Sequence, residues 1–139
     1  MVNLCNCYKI MLHAYPSHLH HLPIYKKARE IFSLSQKISR YLHYDLSSMK
    51  HDGTEDPDIY FTGDIVQQSE SLGPEIIKAE MNSDKKYSHA KTLEWLIMRL
   101  NNTCKRLENS SSNGRDFIPV LRKELKKFRK LQHSWMLNL

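Results

Sequence analysis

The sequence predicts an all-α domain, an antiparallel up-down-up-down four-helix bundle, and three observations predict it. Apolar residues recur at three- and four-residue steps in four long runs, the pattern of a helix with one buried face. Only four Gly and five Pro occur in 139 residues, few for a turn-rich β protein. Polar stretches with turn chemistry separate the runs, and short connections of that kind join antiparallel neighbours. The bundle is expected to occupy residues 22–139, with residues 1–21 as a poorly ordered N-terminal tail.

The tail has no clear period and is rich in His. Cys5-Asn6-Cys7 followed by His18, His20 and His21 offers soft ligands, but paired zinc cysteines are normally two residues apart and these are separated by one. No metal or other cofactor is therefore expected. Met11 is an alternative initiator, which would remove the cysteine pair.

The first helix opens at Leu22-Pro23, with proline in the first turn, and runs to about Tyr44. Ile24, Ala28, Ile31, Ser35, Ile38 and Leu42 form its seam. Lys26, Arg29, Lys37 and Arg40 point the other way. Residues 47–58 are a polar connection punctuated by Gly53 and Pro57. The second helix starts at Pro57 or Asp58, and Phe61, Ile65, Ser69, Leu72, Ile76 and Ala79 keep the rhythm through it. Gly73-Pro74 interrupts the run. An interior proline loses a backbone bond and clashes with the preceding turn, at a cost of about 3 kcal/mol, so the helix is expected to kink or break there.

The third helix, from Ser83 or Asp84 to Asn109, carries Ala90, Leu93, Ile97, Leu100, Cys104 and Leu107 on one seam. Trp95 and Met98 fall on its far side, at about 100° per residue. They are either a contact surface for another subunit or partner, or a surface Trp lying under Lys and Arg stems. After Asn109 to Gly114, the last helix spans Asp116 to Leu139 and buries Ile118, Leu121, Leu125, Phe128, Leu131 and Trp135. Asp116 is expected to cap its free N–H groups, with Pro119 in the first turn. Arg122, Lys123, Lys126, Lys127, Arg129 and Lys130 occupy the other positions, and Glu124 is the only acid among them.

The formal charge of +6 favours a polyanionic partner, although a Lys-rich helix face is also an ordinary solvated face. Three cysteines, an odd number, fit free thiols in a reducing compartment. No apolar run approaches the length of a membrane span, so a soluble, cytoplasmic protein is expected. There is no Gly-rich phosphate loop, no elbow serine and no Glu-x-x-His pair on facing helices. Cys104 with His89 or His133 is a conceivable nucleophile and base, but a thiol on a core seam is normally inert. Neither catalysis nor a small-molecule substrate is expected.

Leu22-Pro23-Ile24-Tyr25-Lys26-Lys27-Ala28-Arg29-Glu30-Ile31 resembles the opening helix of the four-helix-bundle proteins encoded in bacterial 23S rRNA intervening sequences. It also resembles their relatives, the accessory variability determinants of diversity-generating retroelements. Glu75-Ile76-Ile77-Lys78-Ala79 is similar to the end of those proteins' second helix, and Lys130-Leu131-Gln132-His133-Ser134-Trp135 to their terminal segment. The resemblance implies a basic, non-enzymatic subunit. In the retroelement relatives it implies a homopentamer that binds RNA and a reverse transcriptase.

Residue pattern and resemblance together lead to one expectation: an oligomeric accessory or scaffold protein that binds nucleic acid, RNA before DNA. Its phosphate contacts are expected from Arg29, Lys37 and Arg40 on the first helix and Arg122, Lys126, Arg129 and Lys130 on the last. The alternative is a protein-interaction module that uses Trp95 and Met98 and has no nucleic-acid role.

Overall fold

The computed structural model describes residues 17–47 and 52–139. Its helices are α1 (Pro23–Leu46), α2 (Ile59–Glu70), α3 (Leu72–Met81), α4 (Lys86–Glu108) and α5 (Ile118–Leu137), with 3-10 turns at Ser17–His21 and Asn113–Phe117. No strand occurs among the described residues. α2 and α3 are the two halves of one arm, so the molecule is the expected four-helix bundle. α1 packs against α2 and α5, and α4 packs against the broken arm and α5. Consecutive arms are therefore neighbours, and α5 closes the ring against α1.

The seam of α1 is buried as the spacing requires, at Ile24, Ala28, Ile31, Ser35, Ile38 and Leu42, and it extends one turn further to Leu46. Leu22 is extended and Pro23 begins the helix, where the missing N–H would have no intrahelical acceptor. On α4 the buried residues are Ala90, Leu93, Leu96, Ile97, Leu100, Cys104 and Leu107. On α5 they are Ile118, Leu121, Leu125, Phe128, Gln132 and Trp135, with Leu131 only partly covered. The largest side chain with no exposed surface is Phe128, in the middle of α5.

The second arm is broken at Ser71, one turn ahead of Pro74. The position follows from what proline disrupts. A proline clashes with the carbonyl four residues earlier and cannot donate to it, and four before Pro74 is Glu70, the last residue of α2. Gly73 and Pro74 thus lie in the first turn of α3, where proline is tolerated. Side chains help close the end of α2: Ser69 Oγ donates to the Val66 carbonyl at 2.9 Å and Ser71 Oγ to that of Gln68 at 2.7 Å.

Several boundaries differ from the sequence reading: the second arm begins at Ile59 rather than Pro57 or Asp58, the third at Lys86 rather than Ser83 or Asp84, and the last ends at Leu137 rather than Leu139. The last five residues of the expected tail, Ser17–His21, form a 3-10 turn with Leu19 buried; residues 1–16, with Cys5, Cys7, Met11 and His13, lie outside the described residues. The last helix begins at Ile118 rather than Asp116, and Asp116 does not cap it. Its carboxylate is exposed within the 3-10 turn, and the residue at the cap position is Phe117. The capping chemistry sits one loop earlier. Ser112 Oγ accepts from the Gly114 N–H at 3.0 Å, while Asp45, from the end of α1, accepts from Ser112 Oγ and from the Asn113 N–H. No described helix is long and apolar enough to cross a membrane.

Candidate nucleic-acid interface

Burying the apolar stripe of α5 leaves its cations with two places to go. On the side toward α1, Glu124 meets Lys27 at 2.9 Å and Lys127 at 3.1 Å, and Lys27 also reaches Glu30 at 2.7 Å. The hydrogen bond that Lys27 donates to Glu30, then the one it donates to Glu124, holds its ammonium above the ordinary pKa. The bond from Lys27, then that from Lys127, holds Glu124 below the usual carboxylate value. Charge along the α1–α5 seam is therefore largely neutralised within the protein.

On the side toward α4 the cations are gathered. Arg122, Lys123, Lys126 and Arg129 line a groove of about 340 Å³ with Ile97, Asn101 and Glu108 of α4. Arg129 continues into a second depression of about 530 Å³, with Lys130 and His133 facing Lys91 and Glu94. The two share Arg129 and follow one another along α4 and α5, a pair of depressions called the α4–α5 channel. Its carboxylates are paired: Glu108 accepts from Arg122 Nη1 at 2.8 and 3.0 Å, and Glu94 lies 3.5 Å from Lys91. Lys123, Lys126, Arg129 and Lys130 are exposed and have no ion-pair partner among the described residues.

The seven cations expected to contact phosphate are thus not one surface. Lys126, Arg129 and Lys130 lie together. Arg122 belongs to the same groove but is committed to Glu108, with its Nε buried and without a hydrogen-bond partner. Arg29 lines a different depression, between α1 and the start of α3, beside Tyr25, Phe32 and Pro74. Lys37 and Arg40 are exposed on α1.

Trp95 and Met98 stand on the outer surface of α4, 56% and 53% exposed. They border an open groove of about 510 Å³ between α4 and α2, with Phe61, Arg99, Asn102 and Arg106. The Arg99 guanidinium lies over the Trp95 ring at 5.4 Å from its centroid, and that of Arg106 over Phe61 at 4.2 Å. Arg106 is also 3.6 Å from Asp58. The sequence reading passed over Arg99 and Lys105 of α4 and took Arg106 only as a neighbour of Trp95 and Met98, because these cations are scattered in a mixed polar run. The signal available was the four-residue step from Trp95 to Arg99, which stacks two side chains on a helix face.

Cys104, His89 and Trp135 each take part in the packing of the described helices. Cys104 is fully buried, and desolvation pushes its thiol up to about 12, with nearby Arg122 opposing the rise and Glu108 adding to it. It is a protonated core residue at neutral pH. His89 pairs with Glu75 at 3.1 Å, joining α3 to α4, and Trp135 Nε1 donates to Glu80 at 2.6 Å, joining α5 to α3. Among the described residues no three His, Cys, Asp or Glu side chains converge as a metal site. No family model, curated protein or solved structure matches the chain.

Proposed function

We propose that this chain is a non-catalytic, oligomeric accessory or scaffold subunit that binds structured RNA through phosphate contacts in the α4–α5 channel. The observation that carries the reading is the run of Lys126, Arg129 and Lys130 along that channel, exposed and unpaired while the neighbouring carboxylates are already engaged. A polyanion releases its condensed counterions when such side chains replace them, which gives affinity with little sequence discrimination. The likeness of the first and last helices to the intervening-sequence and retroelement proteins favours RNA over DNA. It also makes a reverse transcriptase and a pentameric assembly candidates for the partner and the state.

The test is electrophoretic binding of a structured RNA and of duplex DNA across a salt series, for the native chain and for Lys126→Glu/Arg129→Glu/Lys130→Glu. Binding by the native chain should weaken steeply with salt. The variant should lose most of its affinity, with the slope of log K against log salt shallower by about 2 to 3. Unchanged binding by the variant overturns the reading. Light scattering on the same samples determines the subunit number.

A second reading, a protein-interaction module, rests on the exposure of Trp95 and Met98. It predicts that Trp95→Ala changes the mass of the free protein or its capture of a protein partner.

A further inference from the structure

We infer that the outer surface of α4 is a nucleobase-stacking site. Trp95 takes an unpaired base of the RNA whose phosphates lie in the α4–α5 channel, and the ligand is therefore single-stranded or looped RNA rather than continuous duplex. The inference rests on the RNA-binding reading above and deepens it.

The indole offers what an unstacked base needs. Trp95 keeps 56% of its surface exposed, with the Arg99 guanidinium over its ring. Base–aromatic stacking tolerates any base, because every base has a π face, and an adjacent arginine adds a cation to the stack. The groove next to the indole is open, and its second aromatic, Phe61, carries Arg106 in the same manner. Exposed Lys91 and Arg99 lie one turn to either side of the Trp on α4. The crest of α4 separates this groove from Lys126, Arg129 and Lys130, a width of about 10 Å for one helix with its side chains.

Charge decides which occupant fits. Asp64 lines the groove with no ion-pair partner among the described residues, Asp58 lies against Arg106 and Glu94 against Lys91, so the charge that a polyanion would meet is that of the adjoining Lys126, Arg129 and Lys130 rather than of the groove itself. A second copy of the chain docking by a two-fold axis would set this face against itself and leave Lys126, Arg129 and Lys130 across the helix without a counter-charge. A polyanion with free bases engages the unpaired Lys126, Arg129 and Lys130 and the exposed ring at once.

Two tryptophans occur in the chain, and Trp135 is buried and bonded to Glu80, so fluorescence can assign stacking to Trp95. The experiment titrates the full chain, Trp95→Ala and Trp95→Phe with an oligouridylate and with an RNA duplex of equal length, at fixed low salt. Quenching by the oligouridylate that is absent in Trp95→Ala is expected. Trp95→Ala should bind the single strand about tenfold more weakly and Trp95→Phe nearly as well as the native chain. Duplex affinity and the salt slope should stay as they were, because no charge has been removed. Equal single-strand affinity in Trp95→Ala, or no quenching on binding, overturns the stacking site and leaves the phosphate channel standing. A changed mass of free Trp95→Ala by light scattering assigns the Trp to a subunit contact and also overturns it. Failure of both RNAs to bind the native chain overturns the RNA-binding reading itself.

Discussion

Cys104 shows how strongly one position is set by its surroundings. Burial pushes its thiol up to about 12 in the folded chain, from the 9.0 of a free thiol. A group whose pKa is raised by folding stabilises the folded state below the unfolded pKa, and that contribution is lost as pH climbs through the window between the two. Between pH 9 and 11 the native chain should therefore lose about 2 kcal/mol more stability than Cys104→Ala, which urea unfolding at each pH measures. Gly114 is set by space rather than by backbone angle. Its φ is not positive, but a Cβ there would lie 2.6 Å from Tyr41 Cδ1 and 2.9 Å from Leu42 Cδ2. The sequence places Gly114 at the end of the connection that starts at Asn109, with no sign that α1 presses against it. That information belongs to the partner helix.

At the scale of the helix, two glycines make opposite predictions. Gly63 is inside α2, and nothing lies within 4 Å of a Cβ built on it. Gly63→Ala should stabilise the fold by about 1 kcal/mol through helix propensity, and Gly114→Ala should destabilise it by about 1 to 3 kcal/mol through overpacking. Thermal unfolding of the two variants against the native chain checks both. The helices were legible because their seams repeat: every residue named for the α1 seam is buried. The break in the second arm was legible as an event, from Pro74, and its place at Ser71 follows only when the clash is assigned to the carbonyl four residues back. The Asp116 cap was misread because a 3-10 turn consumes the residues between Ser112 and Ile118, and sequence spacing does not distinguish that turn from the first turn of a helix.

For the whole molecule, the arrangement of arms decides what the charges can do. The exposure of Trp95 and Met98 was readable from helical angle alone. The grouping of Lys126, Arg129 and Lys130 with α4, apart from Arg29 on the far flank of α1, was not, because it depends on which helices are neighbours. Net charge is the same either way. The neighbour order places a neutralised seam on one side of α5 and an unpaired cationic channel on the other. That asymmetry confines the charge-reversal test to one groove.

The ring of arms also sets an order of events in time. Each of the first three arms meets the next through a short stretch of chain, but the join of α1 to α5 pairs Lys27 with Glu124, 97 positions apart. Closing so long a loop costs chain entropy before the contact returns anything, so the join is expected to form last, after the folding barrier. Lys27→Met/Glu124→Gln should then unfold faster and fold at nearly the native rate, which stopped-flow mixing resolves. A lower folding rate would place that seam inside the nucleus. The ion pair that neutralises one side of α5 is, on this account, a latch: it governs how long the folded bundle lasts and leaves almost untouched how quickly it is made.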